Sequence, residues 1–229
     1  MLKRILNSIG NGVLLMEGID ILERLGKEEV KADDVAKRAI ADPSVLHEIF
    51  KGVSSTNPRI RYRCAKILRI VSEEAPAKLY PKMDFFIELL DSDKRILKWN
   101  VLYIIANLTT VDVDNRFEDV FDKYYSLLGA DYMVTVANVV GNSGKIAKAK
   151  PDLTRRITNE LLKTENLTIK SHLTHECKNI LIGHALSAFD MYFDQIQNKD
   201  EVISFVKRQL NNTRNATRVK AEKFLEKFA

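Results

Sequence analysis

Residues Asn57–Val71 read NPRIRYRCAKILRIV, and the fold follows from this stretch. An Asn-Pro pair opens it: the amide side chain can accept a hydrogen bond from the first free N–H groups of a helix, and proline is well placed at the first helical position. Apolar and small residues then recur at Ile60, Cys64, Ala65, Ile67, Leu68 and Val71, three and four apart, the period of one buried helix face. The same skeleton returns at Ile96–Ile104 (ILKWNVLYI), Val134–Asn142 (VTVANVVGN), Leu173–Leu181 (LTHECKNIL) and Thr217–Leu225 (TRVKAEKFL), with steps of 36, 38, 39 and 44 residues counted from Ile60. A period of this size belongs to stacked helical hairpins, each too small to bury its own apolar face.

The rest of the chain fits that alternation. Long first helices are expected over 59–74, 96–108, 132–140 and 168–193, with a break near Gly183 in the last. Shorter second helices are expected over 81–90, 116–128, 151–162 and 201–210, and a closing helix over 216–228. Asp42-Pro43-Ser44, Asp91-Ser92-Asp93 and Gly129-Ala130-Asp131 supply turns and caps. The third first helix is expected to stop early at Gly141-Asn142-Ser143-Gly144, and a helix over 12–25 with a short one over 35–40 precedes the repeats. The expected organisation is a single domain of five to six hairpins, with an N-terminal cap in residues 1–40, repeats in 41–210 and a capping helix in 211–229.

The 229 residues, 45% hydrophobic and 29% charged with 9 Gly and 5 Pro, suit a globular all-helical protein with few long loops. The apolar stretch over 12–25 is interrupted by Glu17, Asp20, Glu23 and Arg24, which argues against a membrane span or signal core. Cys64 and Cys177 hold the same place in their blocks, where a small core residue is wanted. Two such cysteines form no disulfide framework and point to a reducing, cytoplasmic setting. The net charge of +5 is unevenly placed: residues 59–70 hold five basic residues and no acid, and residues 201–229 carry seven basic against three acidic residues.

The Asn57–Val71 block resembles the first helix of HEAT repeats, whose pattern runs Asp-Pro-x-Val-Arg-x-x-Ala-Ala-x-Ala-Leu. Asn57 stands for Asp, Pro58 and Arg61 match, Cys64 and Ala65 stand for the alanine pair, and Leu68 matches Leu. Asp42–Val53 fits as well, with Asp42, Pro43 and Val45 in place; Asp93 and Asp131 keep the first position of the second and third blocks. HEAT-like and armadillo-like repeats grade into one another. The resemblance implies a right-handed α-α superhelix that binds partners along a concave face lined by second helices, and no single activity.

Four constellations could carry function. Asn107, Asn138 and Asn142 resemble the helix-borne asparagines with which armadillo-like proteins grip an extended peptide. An amide offers both donor and acceptor to a main chain, and Arg116, Arg155 and Arg156 on second helices would add charge to such a groove. Arg59, Arg63 and Lys66 lie on one helix side, with Arg95 the equivalent of Arg59 one repeat on, a ladder that could meet phosphates. With Trp99 this is the reading that resembles HEAT-like alkylpurine DNA glycosylases. His47-Glu48 and His175-Glu176 are similar to the His-Glu ligand motifs of the di-iron enzyme deoxyhypusine hydroxylase, but that family shows four motifs and this chain two. His172 and His175 also share a helix face. No glycine-rich nucleotide loop and no nucleophile–base–orienter set can be placed. The expectation is therefore a non-enzymatic scaffold or adaptor for a protein or peptide, without cofactor, with nucleic acid as the rival partner.

Overall fold

The computed structural model describes residues 21–168 and 174–229. Helices α1 (Ala32–Ala41), α2 (Pro43–Val53), α3 (Pro58–Glu74), α4 (Pro76–Leu79), α5 (Met83–Glu88), α6 (Arg95–Leu108), α7 (Arg116–Ser126), α8 (Met133–Ala149), α9 (Thr154–Leu162), α10 (His175–Tyr192), α11 (Lys199–Arg208) and α12 (Asn215–Phe228) follow in order, and no strand occurs among the described residues. Residues 21–26 are also helical; the rest of the helix expected over 12–25, and His172, lie outside the described residues. No described helix is long and apolar enough to cross a membrane. Among the described residues seven helices run into short 3-10 turns, at Tyr80–Lys82, Leu89–Asp91, Thr109–Val111, Leu127–Gly129, Lys163–Asn166, Phe193–Gln195 and Gln209–Asn211, which tighten the end of the helix and satisfy carbonyls that an α-helix leaves free.

Residue contacts divide the chain into two compact units, residues 1–104 and 105–229, with the boundary inside α6. In the first unit the caps read at Asp42 and Asn57 are in place, whereas the short helix expected over 35–40 starts earlier, at Ala32, with no side-chain cap. Asp42 accepts hydrogen bonds from the Ser44 amide at 2.8 Å and the Ser44 hydroxyl at 2.7 Å, and Asn57 accepts from the Arg59 amide at 3.0 Å. Helices α1 and α2 pack on α3, whose buried face is Cys64, Ala65, Ile67, Leu68, Val71 and Ser72. Beside it Phe50, Phe85 and Phe86 meet edge-on or tilted at 5.4–5.8 Å. The helix expected over 81–90 begins earlier, at Pro76, and is interrupted by a 3-10 turn at Tyr80–Lys82. Pro81 has no N–H to give to the preceding turn, so the α-helical ladder breaks there.

In the second unit the long helices α8, α10 and α12 lie side by side, and the shorter α9 and α11 form a second row. The core holds Phe117, Phe121, Tyr124 and Tyr125 of α7, then Phe189 against Phe205. Phe193, Phe224 and Phe228 form a further cluster, with centroids 4.4–5.1 Å apart. Two hydroxyl pairs join neighbouring helices, Tyr125 donating to Ser143 Oγ at 3.1 Å and Thr158 with Tyr192 at 3.0 Å. Burial pushes both tyrosine pKa values up.

The expected break in the third first helix does not occur: α8 runs unbroken from Met133 to Ala149, and α10 runs unbroken through Gly183. The glycines of α8 serve an interhelical approach, Gly144 facing Ala188 and Met191 of α10. The Asn142 and Ser143 side chains donate inside the helix, to the carbonyls of Asn138 and Val139, both at 2.8 Å. The repeat frame also shifts by one. Ile96 and Val134, aligned with Ile60 in the sequence, are each 43% exposed, whereas Leu97 and Thr135 are buried. The buried pairs Cys64–Ala65, Val101–Leu102 and Val139–Val140 recur in the corrected frame.

Candidate binding site

Helices α10 and α12 are tied along their length by three contacts between residues 37 or 38 apart, close to the repeat period. Thr217 Oγ1 donates to the Asn179 carbonyl at 2.8 Å, Lys220 Nζ to the Gly183 carbonyl at 2.9 Å, and Lys227 Nζ to Asp190 Oδ1 at 2.8 Å. Between the two helices runs a groove of about 290 Å³ lined by Leu186, Ser187, Asp190, Lys220, Lys223, Phe224 and Lys227. Leu186 and Phe224 form its apolar floor, 1% and 3% exposed. A smaller recess of about 150 Å³ continues it past Lys220 to His184, Arg214 and Thr217. Lys220, Lys223 and Lys227 are at i, i+3 and i+7, so α12 presents all three ammonium groups on one side.

The electrostatics of the groove are unequal along its length. At one end Lys227 pairs with Asp190, and at the other Arg214 Nη1 lies 2.8 Å from Glu176 Oε1. Between them Lys220 donates to neutral oxygens, the Gly183 carbonyl and, at 2.7 Å, Ser187 Oγ. Burial, and then the Arg214 charge, lower the Lys220 pKa. Burial, followed by the charges of Lys220 and Arg214, likewise holds the His184 imidazole below its usual value. Such a site can hold negative charge, because an incoming anion would offset cationic charge that the neighbouring side chains leave uncompensated.

The residues singled out from sequence are distributed otherwise. Asn107 is 3% exposed and accepts from Lys145 Nζ, and Asn142 is 4% exposed, so both amides lie inside the second unit. Asn138 is half-buried on α8. Arg116 begins α7, its backbone N–H held by Asp112 Oδ1 at 2.9 Å. Arg155 is exposed on α9; Arg156 binds Asp122 at 2.9 Å and lies 3.9 Å over the Phe121 ring. The asparagines thus belong to the row of long helices or the end of α6, and the arginines to α7 and α9. The groove lies on first helices, whereas the resemblance implied second helices.

Of the basic ladder, Arg63 donates to the Val30 carbonyl and lies 3.9 Å from Glu28, while Arg59, Lys66 and Arg95 are exposed. His47 and Glu48 lie in the first unit and His175 and Glu176 in the second. Glu48 pairs with Lys51 at 2.7 Å and Glu176 with Arg214. No group of three or more His, Cys, Asp or Glu residues able to hold a metal ion occurs among the described residues. Sequence reasoning missed Lys220, Lys223, Lys227 and Asp190. The signal was present in the basic excess of residues 201–229 and in the i, i+3, i+7 lysine spacing.

No protein-family model matches the sequence, and no curated protein does. Solved structures do match. A designed armadillo repeat protein aligns with a TM-score of 0.56 at 14% identity, over 89% of this chain and 93% of that one. An engineered protein solved as a structural-genomics target aligns with a TM-score of 0.52 at 17% identity, over 91% of this chain and 87% of that one. The fold is therefore all-α and of the armadillo/HEAT-like repeat class.

Proposed function

We propose that the protein is a non-enzymatic polypeptide-binding scaffold or adaptor, and that an extended segment of another protein lies along the groove between α10 and α12. The observation that carries this reading is the groove itself: an open channel with an apolar floor, walled by hydrogen-bonding and charged side chains, between two long parallel repeat helices. Repeat architectures distribute recognition over successive helices, so a partner that is itself extended can use the whole row. The free Cys64 and Cys177 suit the cytoplasm as the setting.

The nucleic-acid reading draws less support. Arg59, Arg63, Lys66 and Arg95 fall in the first unit and Arg155 and Arg156 in the second, and Arg63 and Arg156 already have carbonyl or carboxylate partners. The His-Glu reading has its two motifs divided between the units with both carboxylates in ion pairs. Selection of a displayed random-peptide library on the immobilised full chain tests the proposal. A set of enriched sequences whose binding is weakened by substitutions at Lys220 and Lys223 is the expected result. A library that yields no enriched sequence would sink it.

A further inference from the structure

The chemistry of the groove narrows the partner further. Asp190, the carboxylate that lines it, is paired with Lys227, and Arg214 of the adjoining recess is paired with Glu176. Lys220 has only neutral oxygens as hydrogen-bond partners, and Lys223 has no ion pair among the described residues. Two ammonium groups therefore stand on one wall of an open channel without a carboxylate of their own. We infer that the groove between α10 and α12 takes an acidic polypeptide segment, whose carboxylates meet Lys220 and Lys223 while its backbone lies over Leu186 and Phe224. This rests on the polypeptide-binding reading above.

Geometry agrees with an extended chain. From Lys220 to Lys223 and on to Lys227 the α-helix rises about 4.5 Å and about 6 Å. Every second side chain of an extended strand points to the same side at intervals of about 6.6 Å. Carboxylates on one side of such a segment are within reach of successive lysines, whose long flexible stems absorb the difference. The lowered pKa values of Lys220 and His184 give the same picture, since burial and cation–cation proximity are what a bound carboxylate would offset. A nucleic acid fits less well. Single-stranded nucleic acid is held largely by bases stacking on aromatic side chains, and Phe224, the aromatic residue of the groove, is 3% exposed and too buried to stack on a base.

The test is fluorescence anisotropy on the full chain with three labelled peptides of equal length: one rich in Glu, its Gln counterpart and its Lys counterpart. The Glu peptide is expected to bind about tenfold or more tightly than the Gln peptide, the size of one charge-assisted contact, with affinity falling as salt rises. Lys220→Gln and Lys223→Gln should each weaken the Glu peptide. Lys223 is exposed, so its variant keeps the test valid if loss of the Lys220 hydrogen bonds lowers stability. Arg155→Gln, on the other row, should leave binding unchanged.

Equal or tighter binding of the Gln or Lys peptide would overturn the acidic assignment. So would indifference of the Glu peptide to both lysine variants, or its displacement by oligothymidine or anionic vesicles at lower concentrations than unlabelled peptide. If none of the three peptides binds while the displayed library yields enriched sequences, the acidic assignment falls and the polypeptide-binding reading stands. If both come back empty, both fall.

Discussion

Gly144 of α8 and Ala188 of α10 approach so closely that a methyl group at position 144 would sit 3.0 Å from both the Cα and the carbonyl oxygen of Ala188, and 2.8 Å from Met191 Sδ. Backbone cannot yield as a flexible side chain can. Alanine favours a helix over glycine by roughly 0.5–1 kcal/mol, but overpacking costs about 1–3 kcal/mol. Gly144→Ala should therefore destabilise the protein by about 1 kcal/mol or more. Gly141, three residues earlier, is exposed and would bring its methyl only to 3.7 Å from His184 Nδ1. Gly141→Ala should stabilise by roughly 0.5–1 kcal/mol. Urea denaturation of the two variants checks the pair; stabilisation by both would show that α8 and α10 do not pack as described.

Much of this was legible in the sequence. The helix caps at Asp42 and Asn57, and the buried stripe of α3, are local features fixed by residue type and helical period. What the sequence did not show depends on neighbours about one repeat away, 38 residues between Asn107 and Lys145 and 44 between Gly144 and Ala188. The glycines of α8 read as a helix break because mid-helix glycine has a propensity cost, and the compensating contact with Ala188 lies in the next repeat. Ile96 and Val134 read as core because they are apolar, yet they are exposed while Thr135 is buried. The asparagines read as peptide grips, but Asn107 receives Lys145 and Asn142 bonds its own helix.

Asp112 and Lys150 make the most enclosed ion pair among those described, with Nζ 2.9 Å from Oδ2 and the two side chains 9% and 0% exposed for Lys150 and Asp112 respectively. Lys150 also donates to the Asp112 carbonyl at 2.6 Å and to Asn115 Oδ1 at 2.8 Å, while Asp112 accepts the Arg116 and Phe117 amides that open α7. Removing one partner of a buried pair leaves an uncompensated charge and costs about 3–5 kcal/mol. Lys150→Met should fall at the low end of that range, because Asp112 keeps its amide partners, and Asp112→Ala higher, because the α7 cap goes too. Chemical denaturation of the two variants should give that order; the reverse order would place the stabilisation on the lysine contacts to backbone and Asn115.

His184 gives a pH dependence with a definite sign. Its ordinary pKa is 6.5, and burial with the Lys220 and Arg214 charges lowers it in the folded state. Below 6.5 the unfolded chain takes up a proton that the folded one resists, so stability falls as pH drops through that value and the loss ends below the folded pKa. His184→Gln removes this contribution. The drop in melting temperature between about pH 7.5 and about pH 5.5 should be smaller in the variant than in the parent, and an equal drop would mean that His184 titrates normally.

The two cysteines should differ sharply in reactivity. Cys64 is fully buried on α3, burial pushes its thiol up to about 12, and its sulfur lies against Gly52 of α2. Cys177 is partly exposed in the first turn of α10. Alkylation needs both a thiolate and access. Iodoacetamide on the native chain, read by peptide mass spectrometry, should mark Cys177 and spare Cys64 until denaturant is added. A methyl at position 52 would collide with Cys64 Sγ and lie 2.7 Å from Leu22 Cδ2. Gly52→Ala should therefore prise α2 from α3, destabilise by about 1–3 kcal/mol and raise Cys64 labelling under native conditions. Prompt labelling of Cys64 in the unsubstituted protein would contradict the packing of that helix pair.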